Sequence, residues 1–161
     1  MIDPDMQEIA GEFVIEARET LEALDGKFVE LERRPSPELI DDIFRAMHTI
    51  KGAAGFLSLA RIVEVAHAGE DVMGRLRSGG LALSESIVDA VLETVDVLKA
   101  LIEDVASGAD SGIATEGVVR RLRGILAEDG AAKAAEPVDR GSAPGAEPTP
   151  GTRKEKGPKS R

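Results

Sequence analysis

Five successive runs of apolar residues, each stepping by three and four positions, constrain this chain more than any other feature. That period matches one face of an α-helix and no face of a strand. The first run is Met6, Ile9, Ala10, Phe13, Ala17, Leu21, Leu24, Phe28 and Leu31, with Asp3 placed to cap it and Pro4 suited to its first turn. Gly11 and Gly26 lie inside this run, and helix-interior glycine is costly, so packing against other elements must hold the helix together. Pro35-Ser36-Pro37 breaks the chain, and Ser36 as cap with Pro37 as first residue opens a second helix to about Phe56. Its stripe is Ile40, Ile43, Met47, Ile50 and Ala54.

Ser58 is expected to cap a third helix, whose stripe Leu59, Ile62, Ala66, Gly69, Met73 and Leu76 stops at Gly79-Gly80. Ser84 opens a fourth, with Ile87, Val91, Val95, Leu98 and Ile102 inside, and a fifth follows Thr115, using Val118, Val119, Leu122, Ile125 and Leu126. No run shows the period-two pattern of a hairpin. Long amphipathic helices joined by short breaks predict an all-α fold, an antiparallel four-helix bundle with an additional C-terminal helix, over residues 1–130.

Charge and proline mark where that domain should stop. Residues 131–161 hold seven bases against four acids, five of the eight prolines and one large aliphatic residue, Val138, in a chain whose net charge is −10. Such a segment buries too little apolar area to offset its conformational entropy, so 131–161 is expected to be a disordered linker or tail. A second reading has its closing basic run, TRKEKGPKSR, bind an anionic surface.

Composition removes several function classes. The chain has no Cys, hence no disulfide framework, thiolate nucleophile or Cys-based zinc site. No apolar stretch approaches a membrane span, and the N-terminal residues are acidic where a signal peptide would be basic, so a cytoplasmic protein without a membrane partner is expected. An aromatic content of 2% provides no stacking platform, and the acidic balance repels phosphate backbones, which argues against nucleic acid.

The chemistry concentrates on the two histidines of the chain. At about 100° per residue, His48 lies about 100° from Met47, with Lys51 about 60° to one side, Gly52 about 40° to the other and Gly55 about 20° away. Two glycines beside an exposed imidazole, at positions where glycine costs stability, suggest that something must approach the backbone there. The third helix offers His67 and Glu70 on one face. If the second and third helices form a hairpin turning near Ser58, position 68 faces His48, and His67 and Glu70 bracket it.

A carboxylate accepting from Nδ1–H leaves Nε2 of a neutral imidazole as the nucleophile, and Glu70 is the candidate for that task. Lys51, or a protonated His67, could neutralise the oxygens of an attached phosphoryl group. The chain has no P-loop and no acid cluster at magnesium-binding spacing. The site would therefore accept and release a phosphoryl group while another protein supplies catalysis, with no cofactor. Two alternatives stand beside this reading: a non-catalytic adaptor or structural bundle, and a bundle binding zinc through His48, His67 and Glu70.

The segment from Ile43 to Phe56, with Ala66-His67-x-x-Glu70 further on, resembles the phosphoacceptor region of histidine phosphotransfer (HPt) domains, most closely that of the chemotaxis histidine kinase CheA. The resemblance extends over roughly residues 5–127. It implies a helical bundle with an extra C-terminal helix and no catalysis by this domain alone. His48 would be the phosphorylated residue, with Lys51 beside it, Glu70 orienting its ring and His67 in the same network. The implied partners are an ATP-dependent histidine kinase catalytic domain, in cis or in trans, and response-regulator receiver domains that take the phosphoryl group on an Asp. Ala53 stands where chemotaxis members often have a further glycine, and its methyl would narrow the approach to His48.

Overall fold

The computed structural model describes residues 3–134, with side chains described through 128. Five helices follow one another: α1 (Pro4–Arg33), α2 (Pro37–Phe56), α3 (Ala60–Arg77), α4 (Glu85–Ser107) and α5 (Glu116–Ala134). Among the described residues there is no strand, in agreement with the all-α expectation.

Local capping sets most of the boundaries. Asp3 accepts from the Asp5 amide at the start of α1. Ser36 and Ser84 accept from the Leu39 and Ile87 amides, each at 3.2 Å, satisfying one of the amides that a first turn leaves without a helical partner. α3 ends in a Schellman arrangement, in which Gly80 N–H donates to Arg75 O and Gly79, at φ +84°, donates to Leu76 O.

The turn between α2 and α3 departs from the expected cap. Ser58 does not cap α3; Leu59 occupies that position without a side-chain hydrogen bond. Ser58 instead closes α2, at φ +61°, with Ser58 N–H donating to Gly55 O and Leu59 N–H to Ala54 O. A second Schellman closure is thus built on a residue carrying a Cβ. Two tight hydrogen bonds to the end of α2 outweigh the usual preference of serine for an N-cap.

Helix neighbours run around a ring, α1 on α2, α2 on α3, α3 on α4 and α4 back on α1, with the most extensive pairing between α2 and α3. Short connections and this neighbour order make an antiparallel four-helix bundle. The core receives the expected stripes almost complete, including Leu21, Leu24, Phe28, Ile43, Met47, Met73, Leu98 and Ile102, each large aliphatic or aromatic contributing about 1.5–3 kcal/mol on burial. The start of the first stripe is the exception: Ile9 is exposed at 37%, Met6 and Ala10 are only partly buried, and Val14 is buried instead.

Val118, Val119 and Leu122 add the fifth helix to the same core, and Arg121 Nη1 pairs with Glu93 of α4 at 2.8 Å. Arg61 of α3 holds the loop before α5, donating to the Ile113 carbonyl. The compact unit closes at Leu126, and α5 runs on to Ala134, past the boundary expected at 130. The remainder of the expected tail, 135–161, lies outside the described residues.

Candidate functional site

In α2 the buried neighbours Met47 and Ile50 turn His48 to the outside, where its side chain is 64% exposed. Lys51 follows one turn later. α3 presents Glu70 from the opposite side, and the reason it can reach α2 is its neighbour Gly69. A Cβ at position 69 would stand 3.2 Å from Thr94 Cγ2 and 3.3 Å from Met47 Sδ, so the absence of a side chain lets α3 settle between α2 and α4.

At that separation Glu70 Oε2 lies 2.5 Å from His48 Nδ1, and its other oxygen lies 2.5 Å from Lys51 Nζ. The Glu70 side chain is only 9% exposed. Burial pushes its carboxyl pKa up, but the hydrogen bonds from Lys51 and His48, together with their charges, outweigh that and hold it below the ordinary carboxylate value. An ionised carboxylate can only accept, so in the neutral form of the ring the proton belongs on Nδ1 and the free lone pair on Nε2.

His67 lines the same cleft of about 480 Å³ as Lys51, Glu70, Arg75 and Leu126. Its own ion pair, however, is with Asp71 on the next turn of α3, Nε2 to Oδ1 at 3.6 Å. The expected four-residue cluster is therefore a tight triad of His48, Lys51 and Glu70, with His67 beside it on a separate carboxylate. Among the described residues, no group of three or more His, Asp or Glu side chains converges as a metal site would require.

Gly52 and Gly55 lie exposed on α2. A Cβ at Gly52 would meet nothing within 4 Å, and one at Gly55 would touch only Val63, at 4.0 Å. The fold itself does not need glycine at either position. Ala53 between them is exposed as well.

Two neighbours of the site were not among the expected site residues. Phe44, four residues before His48, lies with its ring 6.3 Å from the imidazole and within 15° of parallel to it. Asp71, four residues after His67, takes the partner role noted above. Both were accessible from the four-residue spacing that places side chains one above another on a helix.

A family model of the Hpt domain matches residues 8–108. The chain belongs to the Hpt domain family. Among proteins similar to this Hpt domain, the sensor histidine kinase CheAY of Helicobacter pylori is 39% identical over 131 residues, covering 78% of this chain and 16% of that one. The chemotaxis protein CheA of Treponema pallidum is 32% identical over 130 residues, 80% of this chain and 16% of its own. The chain thus spans about a sixth of the length of these curated relatives. Among solved structures, the phosphorylated P1 domain of CheA3 in complex with CheY6 from R. sphaeroides superposes with a TM-score of 0.69 at 30% identity, over 76% of this chain and 98% of that one. The helical-bundle expectation and the family resemblance both agree with these matches. Among the described residues, no helix is long and apolar enough to cross a membrane.

Proposed function

We propose that His48 accepts a phosphoryl group on Nε2 from an ATP-dependent histidine kinase catalytic domain and passes it to an aspartate of response-regulator receiver domains, in cytoplasmic chemotaxis-like signalling. The observation that carries this reading is the 2.5 Å contact from His48 Nδ1 to Glu70 Oε2 on a ring otherwise open to solvent. It commits the proton to Nδ1 and leaves a nucleophilic Nε2 accessible.

Lys51, held beside His48 by the carboxylate that both contact, turns its ammonium to the incoming phosphoryl oxygens and neutralises them. His67, in the adjoining cleft, supplies a second cationic group when protonated. Gly52 and Gly55 keep the surface beside His48 low, so that a receiver or kinase domain can bring its reacting atoms within bonding distance. The chain is then a substrate of the kinase domain and a donor to the receiver, and needs no cofactor of its own. The complex of a phosphorylated relative with CheY6 supports the second half of that relay.

Incubation with a chemotaxis kinase catalytic domain and labelled ATP tests the proposal. The label should be labile in acid and persist in base, because protonating a phosphorylated imidazole makes the ring a good leaving group. His48→Gln should abolish labelling and leave the bundle folded, since an exposed helix position tolerates the change at about 0.5 kcal/mol. Full labelling of that variant, or label mapped to His67, would overturn the assignment.

A further inference from the structure

The Glu70 hydrogen bond holds one nitrogen of the imidazole, but a single contact at Nδ1 still lets an exposed ring swing about that contact. The second group beside the ring is Phe44, within 15° of parallel and with centroids 6.3 Å apart, inside the range where displaced aromatic pairs attract. Phe44 is itself braced. The Arg77 guanidinium of α3 sits 4.6 Å over the Phe44 ring centroid, a cation–π separation. Arg77 Nε is anchored 2.9 Å from Asp41 Oδ1, and the other oxygen of Asp41 holds Arg45 Nε at 2.8 Å. Space for this arrangement comes from Gly74, where a Cβ would stand 3.3 Å from Phe44 Cε1.

We infer that Phe44 is a positioning residue for phosphoryl transfer, braced by Arg77 on Asp41, and that this stack fixes the plane of the His48 ring so that Nε2 faces the donor. The inference deepens the phosphoacceptor reading and rests on it. A nucleophile attacking phosphorus must bring its lone pair in line with the leaving group, and small misplacements cost rate steeply. Glu70 selects which nitrogen reacts; the stack selects where that nitrogen points.

The test uses the full chain with potassium phosphoramidate, whose P–N bond breaks and releases ammonia as the His48 Nε2–P bond forms, alongside 13C relaxation of the histidine rings by NMR. In Phe44→Leu, which keeps apolar bulk but lacks a flat face, the order parameter of the His48 ring should fall by about a third, from rigid toward flexible, while that of the His67 ring stays unchanged. Labelling at Nε2 should slow about three- to tenfold. Phe44→Tyr should restore both, and Arg77→Gln should shift both in the same direction by a smaller factor, about twofold. An unchanged His48 ring order or an unchanged labelling rate in Phe44→Leu overturns the proposal. Should that variant fail to fold, Arg77→Gln, at a half-exposed position, decides by the same two readouts. Ring order is read without any phosphorylation, so wild-type label found elsewhere than His48 would defeat the acceptor reading while the relaxation arm still judges the stack.

Discussion

His48 Nδ1 and Glu70 Oε2 meet at 2.5 Å across the α2–α3 pair, joining a ring that is 64% exposed to a carboxylate that is 9% exposed. The buried partner holds the proton on Nδ1 of the neutral ring, and the exposed partner is left with Nε2 toward solvent, the nitrogen proposed to accept the phosphoryl group. That division assigns different consequences to each neighbour.

Glu70→Ala should slow phosphorylation of His48 roughly ten- to a thousandfold, because the ring loses the acceptor that keeps the proton on Nδ1. The 15N shifts of the His48 ring should move toward the form protonated at Nε2. Labelling at the wild-type rate with unmoved shifts would show that the carboxylate is only structural.

Lys51→Ala should act differently in kind. Removing the ammonium 2.5 Å from Glu70 takes away an attraction for phosphoryl oxygens and slows transfer about ten- to a hundredfold, while the 15N shifts of His48 stay on the Nδ1–H form. A tautomer change as large as that of Glu70→Ala would mean that Lys51 also sets the tautomer of His48.

Acid should erase the Glu70 contribution in a defined direction. Its native pKa is depressed by Lys51 and His48, so the stabilisation is fully present above the unfolded carboxylate value of about 4.3 and is lost as pH falls from there through the lower native value. The melting-temperature gap between wild type and Glu70→Gln should persist down to about pH 5 and shrink as pH falls through about 4.3 and lower. A gap that widens in acid would reverse the sign of the coupling.

Ser58→Gly should stabilise the bundle. At φ +61° a residue with a Cβ costs about 1 kcal/mol that glycine does not, worth about 3 °C in a domain of this size. Thermal unfolding monitored by circular dichroism measures it, and a lowered melting point would contradict the turn geometry.

Two glycines should respond in opposite ways. Gly69→Ala drives a methyl into Thr94 and Met47 and should cost about 1–3 kcal/mol. Gly52→Ala meets open space and should gain about 0.5–1 kcal/mol of helix stability, yet slow transfer from a protein donor more than from phosphoramidate. Equal slowing with both donors would argue against a partner passing close to α2.

Much of this molecule is legible in the order of its residues. Helix faces follow from local spacing, which is why the sequence pattern puts Ile43, Met47, Ile50 and Ala54 inside and His48 outside, as the bundle has them, and why Ser36 and Ser84 read as caps. Counting residues either side of the turn also faces position 68 to His48, with His67 and Glu70 bracketing it. Tertiary structure decided what counting cannot reach. His67 and Glu70 share a helix face and both bracket the facing position, but only Glu70 bonds to His48, because the close approach at Gly69 delivers its carboxylate while His67 finds Asp71 one turn along. Ser58 became a left-handed helix closure because the α2 carbonyls of Ala54 and Gly55 had to be satisfied as the chain turned into α3. Residue spacing sets which face a side chain occupies; interhelical distance and the competition among nearby partners set which atoms it meets.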